Sequence, residues 1–258
     1  MINRRRFLIN SAASMGASVL GGSHLAQAAG NNPFCVEGYN YCRPNFKKRS
    51  RILFQGDSIT DMNRGRDERD RNHYLGHSYV YLIAARLGAD MPETALDFYN
   101  RGISGHKVAD LRNRWQTDTI DMKPDLLSIL IGINDVEAGV SPESFEKDYR
   151  YILDTSRKAN PDLRLVLLEP FILQSGRLQD QQVWKSRRAA TDKLRTVVAQ
   201  LADQYDVVFI KTQNIFDSAA DAVSPEYWMW DGIHPLPQGH ELIARQWLQE
   251  VSTRWPNK

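Results

Sequence analysis

A short apolar run, Arg51-Ile52-Leu53-Phe54-Gln55, stops abruptly at Gly56-Asp57-Ser58. A buried strand that ends this way delivers a serine hydroxyl to its own tip. Near the other end of the chain, Trp230-Asp231-Gly232-Ile233-His234-Pro235 holds a carboxylate and an imidazole three residues apart. A serine hydroxyl needs a base to become a nucleophile, and an imidazole base needs its tautomer fixed. Ser58, His234 and Asp231 are therefore the parts of an acyl-transfer centre, if the fold brings them together. Of the six histidines, His234 is the best base because Asp231 is so close in sequence. The Asp-x-x-His pair alone is weak evidence, since it arises by chance and such an aspartate is ordinarily a helix cap.

The same chemistry needs donors for the oxyanion that Ser58 would create. Two glycine-containing loops can supply them. Gly102, in Asn100-Arg101-Gly102-Ile103-Ser104-Gly105, can offer a backbone N–H because glycine permits close approach. Asn134, in Gly132-Ile133-Asn134-Asp135, can offer a side-chain amide. The backbone N–H of Ser58 makes a third donor. Each loop taken singly reads equally well as a glycine turn whose Asn or Asp satisfies its own backbone. Asp57 and Asp135 are expected to hold loop backbones together, and His106 and His240 to be loop or helix-start residues. The run Tyr227-Trp228-Met229-Trp230 enters the Asp231 loop directly. Its aromatics could stack on a sugar ring, but core packing is the better expectation. The charged loop Asp61–His73 follows the serine block and is the place where substrate selection is expected.

These positions need a scaffold that brings distant loops to one edge. Strands are expected at Arg51–Gln55, Leu96–Asn100, Asp125–Ile131, Arg164–Leu168 and Val207–Lys211, each a short run rich in Leu, Ile, Val or Phe. Helices are expected at Ser78–Leu87, Lys107–Asp121, Pro142–Ala159, Gln182–Gln204 and from Pro237 to Val251. Ser141-Pro142-Glu143 supplies a capping serine, a first-turn proline and an acid facing the helix dipole. Strands alternating with helices imply a parallel sheet covered on both faces by right-handed crossovers. Ligands of such sheets bind outside the carboxyl ends of the strands. The Ser58, Gly102 and Asn134 loops each follow a strand end, and the Asp231 loop precedes the last helix. No repeat or linker argues for a second core.

Bulk properties set outer limits. At 258 residues, 42% hydrophobic and 25% charged, the chain is large enough for one well-cored domain. Asn3-Arg4-Arg5-Arg6-Phe7-Leu8 precedes a mildly apolar Ala/Gly/Ser stretch that ends in Ala26-Gln27-Ala28. This has the form of a twin-arginine-like export signal with an A-x-A cleavage site. Removing residues 1–28 takes away three arginines and changes the formal charge from +2 to −1. A near-neutral surface gives no electrostatic case for nucleic acid, and no further stretch has the length and continuity to stay inserted in a bilayer. Residues 29–50 read as an N-terminal tail and 51–258 as the catalytic domain. Cys35 and Cys42 are either a local disulfide pinning that tail, worth roughly 2.5 kcal/mol at most, or two free thiols. No histidine sits at metal-ligand spacing from them.

Taken together and in order, the GDSIT, Gly102, GIND and DGIHP blocks resemble the SGNH/GDSL hydrolase family. The resemblance runs from about Arg51 to the last helix. It implies a flavodoxin-like three-layer α/β/α fold around a parallel five-stranded sheet, and ester hydrolysis without metal or cofactor. It also implies Ser58 as nucleophile and oxyanion donor, Gly102 and Asn134 as further donors, and His234 as base oriented by Asp231. The stretches NRGISGHKVADL and LSILIGIND look like the branch with carbohydrate O-acetylesterases and lysophospholipase-like proteins. The expected activity is that of an exported esterase for short acyl esters of small molecules or polysaccharides, acetyl on carbohydrate above all, through an acyl-enzyme on Ser58. A lysophospholipase, thioesterase or arylesterase of the same fold, acyl transfer to another sugar, and a non-catalytic carbohydrate-binding protein are the alternatives.

Overall fold

The computed structural model describes residues 41–257. The proposed export signal and Cys35 lie outside the described residues. Among the described residues, five strands form one parallel sheet: β1 (Arg51–Gly56), β2 (Asp97–Asn100), β3 (Leu126–Leu130), β4 (Arg164–Leu168) and β5 (Val208–Ile210). Each expected strand is present, and their spatial order is β2-β1-β3-β4-β5. The central strand β3 is buried along its whole length, whereas edge strand β2 alternates buried and half-buried positions. That difference is what two covered faces and one open edge require.

Helices cover both faces of the sheet. On one face α2 (Tyr79–Asp90) packs against the last helix, α9 (Pro237–Arg254). On the other, α3 (Val108–Trp115) packs on α5 (Pro142–Ala159), which packs on α6 (Gln181–Gln204). Helix α5 begins where the sequence places it, with the Ser141 hydroxyl accepting from the Ser144 N–H and Pro142 in the first turn. Each face carries a buried tryptophan tied to a buried serine. The Trp247 indole on α9 donates to Ser128 Oγ on β3 at 3.0 Å, and Trp115 on α3 donates to Ser156 Oγ on α5 at the same distance. A buried indole N–H or hydroxyl without such a partner would lose its hydrogen bond to water uncompensated.

Several elements differ from the expectation. The helix expected over Lys107–Asp121 stays α-helical only to Trp115 and continues as a wider π turn over Gln116–Ile120. Four short helices were not anticipated: α1 (Ser58–Asp61), α4 (Ile133–Glu137), α7 (Thr212–Ala222) and α8 (Pro225–Trp228). α1, α4 and α8 hold too few residues to show a helical period. Residues 41–50 are tied to the domain: Tyr41 and Phe46 are buried, Pro44 bridges Pro256, and the Asn45 N–H donates to Trp255 O. Cys42 is disulfide-bonded.

The turn from β1 into α1 fixes the serine. At Gly56 a Cβ would come within 2.2 Å of Thr60 Oγ1 and 2.5 Å of Leu130 O, so only glycine lets the strand turn there. Asp57 caps α1 by accepting from the Ile59 N–H, and Asp135 accepts from the Val108 N–H at the start of α3. Burial raises the pKa of both carboxyls to about 7, opposed by these N–H donors; for Asp57 the charge of Asp135 adds to the rise.

Two outcomes follow for stability. Trp247→Phe removes the donor to Ser128 and should cost about 1–3 kcal/mol in urea unfolding, part of which Ser128→Ala in the same chain should restore. The raised carboxyls keep their protons at pH values where the unfolded chain has released them. Their contribution is therefore fully present below about pH 4 and is lost as pH rises through about 7. Asp57→Asn, which keeps the capping acceptor, should flatten that decline when unfolding is measured across the range.

Candidate active site

The strand order reverses direction between β1 and β3, and the two elements that start beyond this point are α1 and α4. A crevice opens at the carboxyl ends of such diverging strands. Ser58 is the first residue of α1 and Asn134 the second of α4, so the topology brings both to the carboxyl edge of the sheet. Gly102 follows the end of β2, on the far side of β1. The loop carrying Asp231 and His234 leads into α9 through Pro237.

Ser58, His234 and Asp231 are brought together as a continuous hydrogen-bonded chain. Ser58 Oγ lies 2.8 Å from His234 Nε2. His234 Nδ1 lies 3.1 and 3.0 Å from the two Asp231 carboxylate oxygens. Asp231 Oδ1 also accepts from the backbone N–H groups of Ile233 (3.0 Å) and His234 (2.8 Å). The carboxylate thus shapes the turn that presents its own histidine, and the three-residue offset has a geometric reason. Burial alone would raise the Asp231 pKa, but the His234 and Ile233 donors outweigh it and hold it below the ordinary carboxylate value. An ionised carboxylate takes its hydrogen bond from Nδ1–H, which leaves Nε2 as the acceptor facing the Ser58 hydroxyl. Arg177 approaches Asp231 from outside, with Nη2 at 3.5 Å from Oδ2.

The two other expected donors have partners of their own. Asn134 spends one N–H of its amide on His106 O at 3.0 Å, which aims the side chain and leaves a second N–H. The Gly102 N–H is not free as expected: it donates to Asn100 Oδ1 at 2.9 Å. Its glycine is nevertheless required, because a Cβ would come within 2.6 Å of Asp61 N. Asn100 in turn donates to Thr60 O (2.7 Å) and Leu75 O (2.8 Å), so one buried amide joins the glycine loop to α1 and to the loop before α2. The Asn-x-Gly spacing is a recognisable signal for the Gly102 bond, but its two long-range partners are not visible in the sequence.

Asp61 was likewise missed as anything but the start of a loop. Its buried carboxylate accepts from Ser104 N and Ser104 Oγ, both at 3.0 Å, and from Arg66 in a two-pronged pair at 2.9 and 2.7 Å. The arginine and serine donors together outweigh burial and lower its pKa. Asp61 therefore locks the turn that carries Ser58 to the glycine loop and anchors the charged segment at the same point. Arg66, Asn63, His77 and Ser104 line a cavity of about 400 Å³ that also contains Ser58 and His234. His106 accepts from Arg114 Nε at 3.3 Å. His240 is buried, accepts from the Tyr79 N–H at 3.2 Å, and is pushed down to about 3 by burial, so it is neutral and remote from solvent.

Comparisons with known proteins agree with this geometry. A model of the GDSL-like Lipase/Acylhydrolase family matches residues 54–242. An acetylxylan esterase of Geobacillus stearothermophilus is 35% identical over 217 residues, covering 80% of this chain and 95% of that protein. The crystal structure of that organism's acetylxylan esterase Axe2 superposes with a TM-score of 0.70 at 34% identity, covering 80% of this chain and 95% of the other. A Parabacteroides merdae structure assigned as a GDSL-like lipase superposes with a TM-score of 0.76 at 35% identity, over 81% of this chain and 99% of that one. With the family model matched over residues 54–242, and the fold and most of its length in common with these proteins, the chain belongs to the GDSL-like lipase/acylhydrolase family and is a carboxylic ester hydrolase.

Proposed function

We propose that this hydrolase is exported and removes short acyl groups, acetyl above all, from carbohydrate through an acyl-enzyme on Ser58. The observation that carries the mechanism is the 2.8 Å contact between Ser58 Oγ and His234 Nε2, backed by Asp231. In the first half-reaction Oγ attacks the ester carbonyl carbon while its proton passes to Nε2. The oxyanion accepts from the Ser58 N–H, the second N–H of Asn134, and the Gly102 N–H as it is shared with or released from Asn100. The bond to the alkoxy oxygen then breaks, and the alcohol leaves with the proton from Nε2. In the second half-reaction water attacks the acyl carbon, giving a proton to Nε2 that returns to Oγ as the acid leaves.

The substrate reading draws on the cavity beside Ser58, where Asn63, Arg66, His77 and Ser104 stand with Met62 and Ile103, so that the hydroxyl groups of a sugar ester find polar partners there. It draws also on the relative named as an acetylxylan esterase. Structures of that relative include catalytic mutants of a serine, an aspartate and a histidine, the last two at the spacing of Asp231 and His234. Export rests on Arg4-Arg5-Arg6-Phe7-Leu8 and on Ala26-Gln27-Ala28.

A fluorophosphonate should label the folded parent at Ser58 and leave folded Ser58→Ala unlabelled and inactive; a labelled Ser58→Ala chain would exclude Ser58 as nucleophile. Asp231→Asn keeps an oxygen for the two backbone N–H groups but turns an N–H toward His234 Nδ1, forcing the wrong tautomer. By the tautomer argument kcat should fall by about 10⁴; near-parent turnover would mean that another group orients His234. Acetate release from acetylated xylan should exceed hydrolysis of long-chain aryl esters, and the exported protein should begin at Ala29.

A further inference from the structure

The run Tyr227-Trp228-Met229-Trp230 enters the catalytic loop, and the fold sends its side chains to different places. Met229 is in the core, and Trp228 is half-buried with its indole N–H shared between Ala219 O and Val223 O. Trp230, by contrast, is 72% exposed, the most exposed large apolar side chain among the described residues. It is held firmly. Its N–H donates to His234 O at 2.9 Å, and Met229 pairs with Pro235 in an antiparallel bridge, so Trp230 is carried by the closed turn that carries the base. Its ring centroid lies 6.3 Å from that of the His234 imidazole, with the planes at 49°.

We propose that Trp230 is the platform on which a neutral sugar ring of the ester's alcohol part stacks; the inference rests on the carbohydrate reading given above. When the acyl-enzyme forms, the bond from carbonyl carbon to alkoxy oxygen breaks, and that oxygen takes its proton from His234 Nε2. The alkoxy oxygen must therefore lie within hydrogen-bond reach of Nε2, and what extends from it past the imidazole is alcohol, not acyl group. A pyranose has C–H groups on its faces and hydroxyls around its edge. The broad, electron-rich indole face meets the first, and the Asn63, Arg66 and Ser104 side chains of the cavity beside His234 can meet the second. A second copy of the chain is a poorer occupant. Trp230 and Tyr227 are the exposed large apolar residues of this loop, and Arg177, half-exposed, lies against Asp231 beside them. Two side chains fall short of the apolar area that a stable interface buries.

The test compares the full-length parent with Trp230→Ala, Trp230→Leu and Trp230→Tyr. Acetate release is followed from acetylated xylooligosaccharides and from ethyl acetate, which has no ring to stack, and molar mass is followed by light scattering. The ratio of kcat/KM for oligosaccharide to that for ethyl acetate should fall about tenfold in the Ala and Leu variants, mainly through KM, and recover in the Tyr variant. An unchanged ratio in the Ala variant, or full recovery by leucine, would overturn the stacking role. So would a lower molar mass of the Ala variant than of the parent, which would assign Trp230 to an interface between copies. A parent that cleaves ethyl acetate but not the oligosaccharide would overturn the carbohydrate reading itself, and the platform with it.

Discussion

Everything at the site depends on the parallel pairing of β1 with β2 on one side and β3 on the other. Parallel strands end at the same edge, so the Ser58, Gly102 and Asn134 loops are neighbours although their residues are far apart in sequence. Because the connections leave β1 and β3 in opposite directions, the sheet itself opens a crevice beside the loops that carry Ser58 and Asn134. The catalytic contact then closes across 176 residues, when the turn before α9 brings His234 to Ser58. Helix α9 is placed by packing on α2 and β5 and by the bond from Trp247 to Ser128 in the middle of β3. The position of the base is thus coupled to the core.

The polar groups around Ser58 are arranged so that few of them are left to choose a partner. Asp57 caps the serine helix, Asp135 holds the start of α3, Asp61 binds the glycine loop, and Asn100 ties that loop to two further backbones. A buried carboxylate or amide is stable only when its hydrogen bonds are made, so each such group specifies one arrangement of the loops that meet it. The consequence is preorganisation: the Ser58 hydroxyl and the His234 imidazole already stand 2.8 Å apart, with Asp231 behind the imidazole. The Gly102 N–H is likewise engaged, by Asn100 Oδ1 at 2.9 Å.

The sequence was a good guide wherever a signal was local. β4 and α5 begin and end as expected, because a doubly buried strand is a plain apolar run and α5 carries its own capping serine and proline. The small helices α1, α4 and α8 were illegible because four or five residues contain no period. The break in the helix after Trp115 has no local mark either. Among site residues, Ser58, Gly102, Asn134, Asp231 and His234 were legible as motif residues, whereas Asn100, Asp61 and Arg66 were not. Asn100 and Asp61 also act through partners 25 to 43 residues away, which no spacing along the chain encodes, and the Asp61–Arg66 pair, five residues apart, matches no helical or strand period.

The sequence by itself therefore determined which chemical groups are present and in what order: a serine at a strand end, two loops carrying Gly102 and Asn134, and an Asp-x-x-His turn that organises itself through its own backbone. Only the tertiary structure decided which of these meet. It also decided the fates of the aromatic residues before Asp231, where composition allowed either core or surface. Met229 goes inward and Trp230 outward, because the Met229–Pro235 bridge makes successive side chains alternate across the turn. Alternation is a local rule, but which side is core depends on where α9 and the sheet lie. That is a property of the packed molecule.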